Sequence, residues 1–471
     1  MSSPLIALFI AAFAFGTTEF VIAGVLPQVA HGLGVTIPTA GYLVSGYAIG
    51  IAIGGPLLTL ATRRLPRKTL LLALAVAFTI GQAACALAPD FASMLLIRIA
   101  VAVAHGSYFG VAMIVAVGLV RQDQRGMAVA LILAGLTVSS VVGVPAGTAI
   151  GTVWGWRATF WAMFVLGILS TIAMLALLPR TAGASVMPAG LGSEVKVLGR
   201  QQVWTSLILM LMLMIGQFVP YTYIAPLLRE VTGLDASLVP WVLLLNGVGA
   251  TLGVFIGGKL SDRRLMPSLI TMLGLQAVVL AAVYLVSPYP LPMVAAYTLS
   301  GALNFAIGTP IQTRILGWTA DAPNLASSLI PSGFNMGIAF AAFVGAMMLN
   351  AGYSYRSLPL LGVAAMIVAT IVALSSYAAE RRRGIAAPRP ADRSAQPSAA
   401  YKSIPPKSPP PSKPASSTPA SASCAPASAS WASAPPANMP PIALPSSTPP
   451  ATPIAVCAAP ARKPPPCRCW S

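Results

Sequence analysis

The 471 residues are 56% hydrophobic and only 8% charged, with a formal net charge of +18. A soluble chain of this length carries far more surface charge, so the composition excludes a soluble enzyme or binding module. Half of the excess positive charge falls in residues 380–471, and the remaining basic residues stand mostly between apolar runs. That placement speaks for membrane topology rather than nucleic-acid binding.

Apolar runs recur at about 5–27, 39–62, 69–88, 92–119, 127–150, 157–178, 204–228, 237–260, 267–287, 290–317, 325–349 and 355–378. Each is near the ~20 residues needed to cross a bilayer as a helix. The pattern predicts an all-α polytopic membrane protein with twelve transmembrane helices. The first run lacks a basic leader and is expected to stay as a span rather than be cleaved. Alternating sides place Arg63, Arg64, Arg67, Lys68, Arg121, Arg125, Arg180, Lys196, Arg200, Lys259, Arg263, Arg264 and Arg381 to Arg383 together. Arg157, Arg229 and Arg356 fall opposite. The positive-inside rule then puts both termini in the cytoplasm.

The first span carries one acid, Glu19, in Gly16-Thr-Thr-Glu19-Phe20. It lies about fourteen residues in, roughly 21 Å from the starting face, in the outer half of the membrane. A carboxylate there costs roughly 2.5–3.5 kcal/mol, and such groups are functional by default. A cap for a neighbouring helix or a wet crevice is the other reading. In the fourth span Arg98 lies about 10 Å below the outer face, level with Glu19 if the spans adjoin. Such a pair is either a proton-coupling element or a fixed structural salt bridge. His105, two turns deeper in the fourth span, is a proton relay, a substrate contact or a packing histidine.

Gly46-x3-Gly50-x3-Gly54 precedes Thr62-Arg63-Arg64-Leu65, and Gly249-x3-Gly253-x3-Gly257 precedes Asp262-Arg263-Arg264-Leu265. This echo predicts two six-helix pseudo-repeats, residues 1–180 and 204–383, joined by a cytoplasmic connection over 181–203. Secondary transporters are built so, with substrate near mid-membrane. In the fifth span, Gly143, Gly147 and Gly151 leave one helix face bare and Pro145 bends the helix, which makes either a moving seam or a static packing face. Tyr221 and Tyr223 fall where the second half repeats the Glu19 region, and Asn304 matches the neighbourhood of His105. With Asn335 they are the candidate substrate contacts, or polar groups joining helices.

Residues 384–471 collapse to Pro, Ala and Ser, a composition expected to be disordered. This tail is either a real cytoplasmic segment or the product of out-of-frame reading. Of the five cysteines, Cys85 alone lies among the spans, and no metal-ligand spacing stands out beyond a weak Cys467-Arg-Cys469. No cofactor and no metal are expected. Gly253-x4-Gly258-Lys259 ends in Leu260 where a phosphate loop needs Ser or Thr, so an ATP-driven pump is excluded.

The stretches Gly16-Thr-Thr-Glu19-Phe20, Thr62-Arg63-Arg64-Leu-Pro-Arg67-Lys68, Arg98, Gly143-Val-Pro145-Ala-Gly147 and Gly155-Trp156-Arg157 resemble the major facilitator superfamily. The likeness covers residues 5–380 and points to its twelve-span drug–proton antiporter branch, near bacterial sugar-efflux and chloramphenicol-efflux permeases. The resemblance implies a non-enzymatic, proton-coupled exporter of a small molecule, monomeric in a bacterial inner membrane. It also implies that residues 62–68 gate the pore, that Arg98 belongs to the proton-coupling element, and that Gly143 to Gly151 are the antiporter element. Thr62 stands where the gating element usually has an acid, while Asp262 keeps that acid in the second half. Proton symport and a non-transporting scaffold are the competing readings.

Overall fold

The computed structural model describes residues 3–121, 124–179, 198–319 and 323–384, the side chains of 323–328 excepted. The tail expected beyond Gly384, and most of the connection expected over 181–203, lie outside the described residues. All regular structure among the described residues is helical.

Eleven helices among them are long and apolar enough to cross a membrane. They are α1 (Ser3–Gly32), α2 (Ile37–Ala61), α3 (Arg67–Leu87), α4 (Phe91–Gly118), α5 (Arg125–Trp154) and α6 (Trp156–Leu177). After the undescribed connection come α7 (Gln201–Thr222), α8 (Val239–Val286), α9 (Pro290–Trp318), α10 (Pro323–Asn350) and α11 (Leu358–Arg382). The eighth and ninth expected spans share α8. Its 48 residues reach about 72 Å, twice the need of one crossing. Arg264, with φ −149° and ψ 81°, breaks it in the middle.

Helix ends follow local chemistry. Thr36 caps α2, its Oγ1 accepting from the Thr39 amide at 3.3 Å, and Asp90 caps α4 by accepting from Ser93 N at 2.9 Å. Before α8, Asp235 accepts from Ser237 N at 2.8 Å, and its hydrogen bonds with Ser237 hold its carboxyl below the usual range. A single residue, Gly155, joins α5 to α6 at φ +85°, a conformation L side chains rarely adopt. The outward faces carry Ile80, Leu96, Ile172, Leu252, Phe255 and Ile371, all more than half exposed. So much bare apolar surface fits lipid, not water.

Glycines set the tightest packing. An added Cβ at Gly46, Gly50 or Gly54 would meet Leu95, Ala102 or Val103 of α4 at 2.4–2.7 Å. At Gly249, Gly253 and Gly257 it would meet the carbonyl oxygens of Thr298, Ala302 and Ala306 of α9 at 1.9–2.8 Å. On α5, Gly143, Gly147 and Gly151 face Thr17, Val21 and Val25 of α1. The bare face of α5 therefore packs on the helix that carries Glu19. Just before these glycines, the α5 backbone at Ser140 and Val141 receives Gly247 of α8. The bend expected at Pro145 is prepared by a π-helical turn, Ser139–Gly143, just before it. Pro145 thus stands at the start of a new helical segment, where its missing N–H costs little.

A second contact between early and late helices runs from α10 to α2. There Ser332 Oγ donates to the Ala52 carbonyl at 2.9 Å, within the π-helical turn Gly50–Gly54.

Candidate functional site

Glu19 sits deeper than its apolar run implied. The hydrophobic stretch stops at Pro27, but α1 continues through that proline to Gly32, so Glu19 lies at mid-helix. His105 lies midway along α4. The two meet, with His105 Nε2 3.8 Å from Glu19 Oε2. Within 4.0 Å of the carboxylate stands this histidine, seven residues further along α4 than Arg98.

Arg98 stacks on Tyr47 of α2. Its guanidinium carbon stands 4.6 Å from the Tyr47 ring centroid, and its Nε donates to the Leu43 carbonyl at 3.4 Å. The side chain is buried, Nη2 has no hydrogen-bond partner, and its charge is still felt at Glu19. Tyr47 Oη lies 3.0 Å from His105 Nδ1. The result is a chain of contacts Arg98–Tyr47–His105–Glu19 through α4, α2 and α1. When the phenol donates to Nδ1, the neutral ring carries its proton on Nε2, facing the carboxylate.

Glu19, Phe20 and Tyr47 line a cavity of about 10 Å³, completed by Phe218 and Tyr221 of α7 and Ile338 of α10. That is room for about one water. The lining joins helices from both ends of the chain around one carboxylate. A second cavity, of about 330 Å³, lies where Pro27 meets Arg229, Glu230 and Asp235.

Of the candidate substrate contacts, Tyr221 alone lines the Glu19 cavity. Tyr223 is fully buried two residues on, where its hydroxyl donates to the Ala342 carbonyl at 3.0 Å and its ring fills the space beside Gly41 and Gly345. It binds helices together. Asn304 is buried on α9 with Oδ1 unpartnered. Asn335 donates to the Pro331 carbonyl of its own helix at 3.1 Å, with Oδ1 free. Neither reaches the cavity wall.

Among the basic turns, Arg63 and Arg64 are exposed, and Arg67 is half-buried with Nη1 unpartnered. Lys68 caps α6, its ammonium donating to the carbonyls of Leu175 and Leu178. Asp262, Arg263 and Arg264 are exposed at the break in α8.

Two features escaped the sequence reading. Arg314 of α9 and Glu380 of α11 form a buried ion pair, with Thr205 and Ser376 also accepting from the guanidinium. A lone Arg inside an apolar run was the available signal. Gln217, Gln276 and Ser300 join through side-chain hydrogen bonds among α7, α8 and α9. Uncharged polar residues barely dent the hydropathy of a span, so no such signal marked them.

Eleven helices among the described residues, long and apolar enough to cross a membrane and packed around a buried carboxylate–histidine contact, make this a multi-pass membrane protein. The chain belongs to the Major Facilitator Superfamily, whose family model matches residues 8–316 and 228–433. It is 36% identical over 380 residues to the inner membrane transport protein YdhP of Escherichia coli K12, covering 81% of this chain and 96% of that one. It is 34% identical over 371 residues to a chloramphenicol resistance protein of Streptomyces lividans, covering 78% and 94%. In fold it is similar to a bacterial homologue of the human lysosomal transporter Spinster, at a TM-score of 0.60 and 17% identity over 80% of this chain and 96% of that one.

Proposed function

We propose that the protein exports a small molecule from a bacterial cell in exchange for protons, alternating its access between the two faces of the inner membrane. The observation that carries this reading is the Glu19 carboxylate, buried at mid-helix against His105 and lining a cavity walled by α1, α2, α7 and α10. Ionised, it attracts the His105 N–H and the nearby Arg98 charge. Protonated, it releases both, so one proton changes the forces between α1, α2 and α4. A second support is the echo in packing. Gly46, Gly50 and Gly54 seat α2 on α4 as Gly249, Gly253 and Gly257 seat α8 on α9, as two six-helix repeats require. In this reading the protein works as a monomer with both termini cytoplasmic. Residues 62–68 and 262–264 lie at its inner gates, and Gly143 to Gly151 let α5 follow α1 as it moves. Export rather than import is favoured by the likeness to a chloramphenicol resistance protein.

Purified protein in proteoliposomes under an imposed pH gradient tests it. Solute added on the side the protein draws from should release or consume protons, and Glu19→Gln should abolish that coupling. Coupling that survives Glu19→Gln overturns the reading, and solute moving down the proton gradient with the protons makes the protein a symporter.

A further inference from the structure

Behind Tyr221 the wall of the Glu19 cavity passes into a buried polar cluster that proton movement does not use. Gln217 stands one turn before Tyr221 on α7, so both share a face. Its side-chain oxygen accepts from Ser300 Oγ of α9 at 3.4 Å, and Ser300 Oγ in turn accepts from Gln276 Nε2 of α8 at 2.9 Å. Tyr297, one turn before Ser300, packs in the same cluster as Phe20 and Tyr221. Gln217, Gln276, Tyr297 and Ser300 are all at least 96% buried.

The cluster is incompletely satisfied. Gln276 Oε1 and the Tyr297 hydroxyl have no partner, and neither does Asn304 Oδ1 one turn beyond Ser300. Buried polar atoms without partners are rare in native proteins and call for an explanation. On α1 and α3 a comparable contact, Thr18 Oγ1 to Gln82 Oε1 at 3.0 Å, leaves neither side chain with an orphan atom. The difference lies in α8 and α9, which hold spare acceptors and a spare hydroxyl ready for another molecule. None of these groups is charged. The buried charges of α9 and α11, Arg314 and Glu380, are already paired with each other.

Resting on the transport reading above, we propose that Gln217, Gln276, Tyr297 and Ser300 form a hydrogen-bonding subsite for a neutral solute that carries hydroxyl or amide groups. The solute reaches it from the Glu19 cavity as the helices part. Its donors meet Gln276 Oε1 and the Tyr297 oxygen, and its apolar face lies on Phe218 and Tyr221. An organic cation gains nothing here, because the cluster offers no countercharge and must be desolvated to admit it.

Binding to the full-length purified protein tests the assignment, with chloramphenicol and L-arabinose as neutral probes and tetraphenylphosphonium as the cation. At least one neutral probe should bind the wild type. Its Kd should rise tenfold or more in Gln276→Leu and in Ser300→Ala, and tetraphenylphosphonium should not bind. Ser300→Ala, the smaller change, carries the test if Gln276→Leu does not elute as a folded species. Unchanged Kd values in the folded variants overturn the subsite, as does binding of the cation alone or of neither neutral probe. Loss of binding in Ser300→Ala with coupling retained in Glu19→Gln would sink the proton role of Glu19 while leaving the subsite standing.

Discussion

His105 presents Nε2 to Glu19 at 3.8 Å while Tyr47 contacts its Nδ1 at 3.0 Å, so one imidazole links a phenol on α2 to a carboxylate on α1. The two ring nitrogens have different tasks, and they can be removed separately. At 3.8 Å the imidazole touches the carboxylate electrostatically and not by a hydrogen bond, whereas the Tyr47 contact is a hydrogen bond between neutral groups, worth about 1 kcal/mol. On the proton-exchange reading proposed above, His105→Leu, which removes both contacts, should slow transport by more than the loss of one such bond, about tenfold or more. Tyr47→Phe, which leaves Nε2 in place, should slow it only about fivefold. Initial rates in proteoliposomes check the order, and a larger loss in Tyr47→Phe would contradict it.

The close fit of α5 on α1 is testable as a size exchange. A Cβ at Gly143 would lie 2.1 Å from Thr17 Oγ1, and Thr17 is fully buried. Gly143→Ala should cost about 1–3 kcal/mol by overpacking. Thr17→Ala removes Oγ1 and Cγ2 and leaves only Cβ at 3.0 Å, so the double variant should regain much of that loss, a coupling that thermal or denaturant unfolding in detergent can measure.

Arg314 and Glu380 tie α9 to α11 away from the cavity. Arg314→Met leaves a buried carboxylate without its partner and should cost ~3–5 kcal/mol, whereas Arg314→Met with Glu380→Leu should be close to neutral. Melting temperatures of the three proteins decide. Equal destabilisation in the single and double variants would mean that packing, not charge, holds this corner.

Ser332 contributes to the contact that closes α10 over α2 by donating to Ala52 O. On the alternating-access reading proposed above, losing one such bond, worth about 1 kcal/mol, shifts the balance between open and closed forms roughly fivefold. Ala48, buried in the cavity wall, offers a reporter. In a background with all five native cysteines replaced (Cys85→Ala, and Cys424, Cys457, Cys467 and Cys469 each →Ser), Ala48→Cys should be alkylated about fivefold faster when Ser332→Ala is added. An unchanged rate would show that this bond does not hold the closed form.

The membrane class, the apolar runs that become helices and the lone acid in the first of them were legible in the sequence. They follow from local quantities: runs of apolar residues, charges between them and the cost of one carboxylate inside a run. Partners were not legible. Arg98 and His105 sit on the same helix seven residues apart, and which of them comes within 4.0 Å of Glu19 depends on how α1 and α4 are set against each other in the bundle. The same holds for Tyr221 and Tyr223, neighbours in sequence, one in the cavity wall and the other wedged beside Gly41. A hydropathy pattern specifies which segments enter the bilayer, because each residue is weighed against lipid alone. Helix register and rotation arise from contacts between segments far apart in the chain, and only the folded bundle decides those.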